Sequence, residues 1–221
     1  MTAPPTLAID ASTYLGTVAV LRGETVVSER EAAMRGEHEE RLMPAVAEAL
    51  DAASVRVSEL ARVVCGGGPG SFTSLRIASS IAKGLCMAHG LPLFAVPSLA
   101  LMRPAGRLLL EEGRWLALLD AMRGDVYATL LDVERGGRVT AASPPRLIAA
   151  VDVDRVAAEF GARPIGAGLR QEGRPRASAL ASVAPELIAE TTLSSWEPSY
   201  GRLAEAQVRW EAAHGRALTA G

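Results

Sequence analysis

From Thr6 to Asp10 (TLAID) the chain is apolar up to a terminal acid, and Ala11-Ser12-Thr13 follows, the pattern of a buried strand emptying into a polar turn. Gly16–Leu21 (GTVAVL) and Thr25–Glu31 (TVVSERE) are β-rich runs separated by Arg22-Gly23-Glu24, the spacing of a hairpin with a short glycine turn. A three-stranded meander is therefore expected at the start. Between Glu37 and Ala53 the apolar residues Leu42, Val46, Ala49, Leu50 and Ala53 recur at three and four, which predicts an amphipathic helix. Pro44 requires that helix either to begin beyond Glu40, where a missing N–H does no harm, or to kink. Leu60–Cys65 (LARVVC) reads as another strand and runs into the glycine turn Gly66-Gly67-Gly68-Pro69-Gly70. Ser71–Ala88 resumes helical spacing through Leu75, Ala78, Ile81, Ala82 and Leu85, and Gly90 with Pro92 ends it.

Leu93–Val96 is a short buried strand, and helical character is expected from Ser98 to about Glu112, interrupted by Pro104 and Gly106. The second half echoes the first. Trp115–Asp120 (WLALLD) is again an apolar run ending in an acid, and Asp125–Val133 and Arg138–Ala142 are again strands, around Gly136-Gly137. A helical stretch over about Ile148–Phe160, a strand at Pro164–Gly166 and a helix over Ala177–Ala189 complete the pattern, with a tail holding Trp196, Pro198 and Tyr200. The expectation is a mixed α/β protein of two similar lobes, 1–103 and 104–221.

Composition narrows the function classes. The 221 residues carry a formal charge of -2, are 22% charged and 4% aromatic, and include two cysteines, Cys65 and Cys86, with no CxxC pair. A disulfide scaffold, a cysteine zinc cage and a thioredoxin-like redox motif are excluded. No apolar run approaches the ~20 residues that span a bilayer, and MTAPPTLAID has neither the basic nor the apolar part of a secretory leader, so a cytoplasmic address is expected. The slight acidity and scarcity of aromatic rings argue against an unaided grip on nucleic acid. Lys83 is the one lysine, a bias towards arginine that fits a GC-rich genome.

The glycine turn invites comparison with phosphate-binding loops. A P-loop needs a lysine directly after its last glycine, but Ser71-Phe72 follows Gly70; a dinucleotide fingerprint counted from Gly66 and Gly68 meets Ser71 where a third glycine belongs. What remains is a strand, a turn and a helix N-terminus, a place for an anion or merely a tight strand-to-helix connection. His38 has Leu42, not a second imidazole, four residues on, and His89 and His214 lack ligand-type neighbours. Ser71 lies in GSF, not in a nucleophile elbow. Asp10 and Asp120, ending matching strands, either hold magnesium and orient a nucleophile or cap their own turns.

Five segments, LAIDAS (Leu7–Ser12), GEHEERLMPAV (Gly36–Val46), GGGPGSFTSLR (Gly66–Arg76), DAMRGDVYA (Asp120–Ala128) and EPSYGR (Glu197–Arg202), together resemble the bacterial TsaB (YeaZ-type) family of the machinery that makes threonylcarbamoyladenosine beside the tRNA anticodon. Ser74 stands where that family usually has glycine, and Met122 and Asp125 depart from its DARRGEVYA form. The resemblance implies an actin-like ATPase (ASKHA) fold of two duplicated lobes. It also implies a non-catalytic partner and activator of TsaD, a relative whose metal-binding HxxxH falls on the helix matching Glu37–Ala53; His38 matches its first histidine and Leu42 occupies the second.

Further implications are partnership with TsaD and the ATPase TsaE, a homodimer in isolation, tRNA reached only through the complex, and ATP and a metal ion held by the partners rather than by this chain. The expected contact is a helix bundle using His38, Leu42, Val46, Leu50, Leu75, Ser79 and Ala82, unless that stripe is internal core. Gly68, Pro69, Gly70, Ser71, Thr73 and Arg76 are the candidate anion or nucleotide contacts. Two alternatives stay open: a peptidase of the glycoprotease-like family, and an independent ATP-binding enzyme of the actin-like fold.

Overall fold

The computed structural model describes residues 3–34, 41–107 and 109–201. Three strands open it, β1 (Pro5–Asp10), β2 (Leu15–Arg22) and β3 (Thr25–Ala33), and pair as the expected antiparallel meander. Helix α1 (Leu42–Ala52) starts beyond Glu40. Pro44 is its third residue, within the first turn, whose N–H groups have no intrahelical acceptor in any case. The helix crosses to β4 (Arg62–Gly66), which lies parallel beside β1 with Leu7 opposite Val63. After the glycine turn, α2 (Phe72–His89) ends at Gly90 in the left-handed conformation and leads to β5 (Leu93–Val96), parallel to β4.

The second half repeats this plan. After β6 (Met102–Pro104) come β7 (Gly113–Asp120), β8 (Asp125–Glu134), β9 (Arg138–Ala142) and β10 (Arg146–Ala149), with β7, β9 and β10 all antiparallel to β8. Helix α3 (Val153–Glu159) then crosses to β11 (Arg163–Ile165), parallel beside β7 as β4 is beside β1. Two short strands finish the architecture: β12 (Gly173–Pro175) pairs with β6, and β13 (Ala189–Glu190) returns to pair with β5 at the edge of the first sheet.

Strand alternation places the cores. On β1, Leu7 and Ile9 face α1 and α2, packing with Leu42, Val46 and Ala49, while Ala8 faces the second sheet. On β7, Trp115, Ala117 and Leu119 meet the first sheet's inner face and Leu116 and Leu118 lie under α3 with Val153 and Val156. Both sheets are thus covered on both faces, which is why β1 is buried throughout and reads as a nearly continuous apolar run.

Three expected helices are corrected. Ser98–Leu101 is one 3-10 turn, after which Met102–Pro104 becomes β6, because Pro104 cannot donate to a helix and the segment pairs with β12 instead. Arg146–Ala149 is strand and Ala150–Asp152 a 3-10 turn, leaving only Val153–Glu159 α-helical in the expected 148–160 stretch. Over 177–189 there are two 3-10 turns, Ala177–Ser182 and Pro185–Leu187, then β13. Pro185 holds Ala184 extended, and Ala177, Leu180 and Val183 are spaced by the inter-sheet core they fill rather than by a helix.

Candidate functional site

β1 and β4 end side by side, so Asp10 and the glycine turn meet at the same edge of the sheet. Asp10 is buried; its Oδ1 accepts from the Ser12 amide at 3.0 Å and the Ser12 hydroxyl at 2.7 Å, and its Oδ2 has no partner. Burial pushes its carboxyl above the usual range, while the nearby Ser98 hydroxyl and the Ser12 bonds act in the opposite direction. The Ser98 hydroxyl favours the charged form without making a hydrogen bond to Oδ2. Gly66 is required here because a Cβ would overlap Asp10 Oδ2.

The turn itself is bonded to its own chain. Gly67 N donates to Val96 O at 2.8 Å, Gly68 N to the Ser98 hydroxyl at 2.9 Å, and Ser71 N to Ser12 O at 2.8 Å. Gly68 O accepts from Ser98 N at 3.1 Å, and Gly67 O accepts from Ser199 N at 2.8 Å. The Gly68–Pro69 bond is cis. Gly68 and Pro69 are buried, and a Cβ on Gly68 would overlap Ser199 O. Of the candidate anion contacts, the amides of Gly68 and Ser71 are therefore already engaged within the chain, whereas Thr73 and Arg76 lie exposed on the first turns of α2. The Ser71 hydroxyl pairs with that of Ser74 at 2.9 Å.

A segment from the tail covers this turn. Glu197 bonds Lys83 at 3.3 Å, the Lys83 ammonium lies 5.9 Å from the Trp196 ring centre, and the Phe72 and Tyr200 rings are 4.5 Å apart. The Tyr200 hydroxyl donates to Glu197 Oε2 at 2.9 Å; burial and then that bond push the Tyr200 phenol up to about 12, and the same bond first of all holds Glu197 below its usual range. Glu197 and Tyr200 belong to the EPSYGR motif, for which the sequence suggested no contact; Ser98 and Thr17, both buried, carried no signal in isolation.

The echo extends to the acids. Asp120 Oδ1 accepts from Met122 N at 2.8 Å, just as Asp10 Oδ1 accepts from Ser12 N, so both cap the turn two residues on. They differ in setting: Asp10 is enclosed, whereas Asp120 is exposed beside Met122 and Arg123, which hold φ of 64 and 60. Such a run of left-handed residues without glycine is costly and marks a constrained loop.

The expected partner stripe lies inside. Leu42, Val46, Leu50, Leu75, Ser79 and Ala82 are all buried, the leucines, valine and alanine packing against the chain's own core. The outward faces of the two helices instead present Ala47 and Asp51 on α1 and Arg76, Ser80 and Met87 on α2. His38 lies outside the described residues. Among the described residues no group of three histidine, cysteine, aspartate or glutamate side chains could hold a metal ion, and burial raises the Cys86 thiol to about 11 and Cys65 further. No helix among them is long and apolar enough to cross a membrane.

Two sheets with one shared plan, a meander, a crossover helix and a parallel strand, each with an acid capping the turn after its first strand, define a duplicated actin-like fold of the ASKHA class. Residues 26–178 match the family described as "TsaD: tRNA N6-adenosine threonylcarbamoyltransferase"; the chain belongs to this family, and within it is of the TsaB/YeaZ type. It is 36% identical over 130 residues to the tRNA threonylcarbamoyladenosine biosynthesis protein TsaB of Bacillus subtilis, covering 59% of this chain and 56% of that protein. It is also 36% identical over 121 residues to TsaB of Escherichia coli, covering 55% and 52%. The alignments span about half the length of these curated relatives. Its structure is similar to that of YeaZ from Pseudomonas aeruginosa, with a TM-score of 0.68 and 25% identity over 89% of this chain and 99% of that one.

Proposed function

We propose that this chain works in threonylcarbamoylation of the adenosine beside the tRNA anticodon, as a non-catalytic partner and activator of a TsaD-type transferase. The observation that carries the reading is Leu42. It is an aliphatic side chain, fully buried at the start of α1, at the position where the family's metal-binding helix would need its second imidazole. One helix without paired imidazoles cannot present a metal to substrate, so the metal and ATP chemistry falls to other subunits, a TsaD-type protein and the ATPase TsaE. tRNA, which a slightly acidic chain with few aromatic rings is poorly equipped to grip alone, is reached through the complex, in the cytoplasm.

The outward faces of α1 and α2 are the surface through which such a partner would dock, and a second copy of this chain would use the same surface in isolation. Small and polar positions such as Ala47 and Ser80 allow close helix approach, and Met87, 74% exposed, offers an adaptable apolar contact. Purified chain should co-elute with TsaD and restore tRNA modification to a TsaD preparation lacking it. Ser80→Arg or Met87→Glu should abolish both while leaving the folded chain intact. No complex with TsaD, with or without nucleotide, would overturn the proposal. The peptidase alternative gains no support from the geometry, since the Ser71 hydroxyl pairs with the hydroxyl of Ser74, which is not a base that could activate it.

A further inference from the structure

Away from the glycine turn, a cavity of about 560 Å³ opens where β3 meets the two-stranded β6–β12 sheet, and four arginines line it: Arg103, Arg107, Arg174 and Arg176. Four guanidinium groups thus converge on one cavity wall. The acids that face it are Glu29 and Glu172, with Glu31 just behind on the same strand as Glu29.

The side chains are held rather than floating. Arg103 and Arg176 are only 14% and 23% exposed. Glu29 Oε1 accepts from Arg176 Nε at 3.1 Å and from the Ser178 hydroxyl at 2.7 Å, and its Oε2 lies 3.7 Å from Arg103 Nη1. Glu31 Oε1 accepts from Arg174 Nη2 at 3.3 Å and from Arg176 Nη2. Arg103 also donates to the Ser178 hydroxyl, and Arg107 pairs with Glu111. Three guanidinium groups thus share two carboxylates, and each retains N–H donors with no partner among the described residues.

Counted together, Arg103, Arg107, Arg174 and Arg176 are matched in charge by Glu29, Glu31, Glu111 and Glu172, but their N–H donors outnumber the acceptors that meet them, and the cavity wall itself carries four arginines against two glutamates. We propose that this cavity binds phosphate, as a free polyphosphate or as part of a longer backbone. A single carboxylate is satisfied by one arginine fork, whereas a tetrahedral phosphate with up to two charges uses forks arriving from several directions. The lining contains no aromatic ring, so nothing there stacks a base, and the group recognised is the phosphate itself. The cavity joins an edge strand of the first sheet to β6 and β12, so an anion there also ties those elements together.

Calorimetry of the full chain with inorganic pyrophosphate tests this without any partner protein, so its outcome is separate from that of the TsaD experiment. Saturable one-to-one binding that weakens with salt is expected. Arg107→Gln with Arg174→Gln, at the two more exposed arginines (65% and 44%), should weaken it about tenfold or more while the melting temperature without ligand stays put. Glu172→Gln should tighten it. Absence of saturable binding at low salt, or a double variant that binds as the parent does, overturns the proposal. Where pyrophosphate binds, a tRNA competition identifies the source: tRNA displaced by pyrophosphate and weakened by the double variant assigns the site to an RNA backbone, and tRNA indifferent to both assigns it to a free phosphate.

Discussion

The Tyr127 hydroxyl donates to the backbone carbonyl of Tyr200 at 3.3 Å, tying the second sheet to a tail segment that lies on the glycine turn of the first. Residues 196–201 reach both sheets, through Lys83, Gly67 and Phe72 on one side and Tyr127 on the other. Tyr200→Ala removes a half-buried ring at the centre of that bridge and should cost about 1–3 kcal/mol in urea unfolding. Tyr200→Phe keeps the ring and loses only the bond to Glu197, so about 1 kcal/mol is expected. The phenol adds a pH signature. With Tyr200 raised to about 12, its contribution is complete below the ordinary tyrosine value of 10.0 and is lost as pH rises through about 12. Spectrophotometric titration should find this high phenol, and Glu197→Gln should bring it down. An unchanged unfolding midpoint for Tyr200→Ala would show that the bridge carries no stability.

Asp10 gives a prediction of the same sign for a different reason. Its carboxyl is raised chiefly by burial, so its stability contribution is complete below the ordinary value of 3.8 and falls as pH rises through the raised one. Asp10→Asn keeps an oxygen to accept both Ser12 bonds and puts an amide where the bare Oδ2 now faces Ser98. Replacing this buried carboxyl, whose Oδ2 lacks a partner, should stabilise the chain near neutral pH by about 1–3 kcal/mol and flatten the melting temperature against pH. Asp10→Ala, which also strips the Ser12 bonds, should be less stable than Asp10→Asn. A lower melting temperature for Asp10→Asn than for the parent at neutral pH would contradict the account.

Two glycines separate space from propensity. A Cβ at Gly70 would overlap the carbonyl of Ser12, which is backbone and cannot swing aside, and the Ser71 amide bond to that same carbonyl would be lost. Gly70→Ala should therefore cost about 2–4 kcal/mol, read from denaturant curves. At Gly84, inside α2, nothing lies within 4 Å of the place a Cβ would take and φ is ordinary, so Gly84→Ala should stabilise by about 0.5–1 kcal/mol.

Those positions also show why sequence reading reached some features and not others. The meander, the crossover helices and their echo were legible because each is local: apolar spacing fixes period, and Gly23, Gly90 and Pro44 mark ends. The expected helix at 177–189 failed because Ala177, Leu180 and Val183 take their spacing from an inter-sheet core assembled by residues far away. The burial of Leu42, Val46 and Leu75 was equally invisible, since an amphipathic stripe has the same pattern whether it meets its own sheet or a partner. The glycine run announced a turn, but its amides are consumed by Val96, Ser98 and Ser12, and its cover comes from Ser199; such pairings across the chain leave no periodic trace.

Thr17 is the point where such a long-range pairing is most exposed to test. Its hydroxyl accepts from Ala177 N at 2.9 Å and donates to Asp10 O at 3.4 Å, so one fully buried oxygen joins β1, β2 and the 3-10 turn at Ala177–Ser182. Thr17→Val preserves the shape and leaves the Ala177 amide buried without an acceptor, which should cost about 1–3 kcal/mol. Thr17→Ser restores the acceptor and loses one methyl, for about 1 kcal/mol. The order parent, serine, valine in urea midpoints is the expected result. Hydrogen exchange at Ala177 should quicken in the valine variant alone, because there the opening needed to reach solvent no longer breaks a bond. If valine matched or exceeded serine in stability, the hydroxyl would be a passenger in the packing rather than the link between these elements.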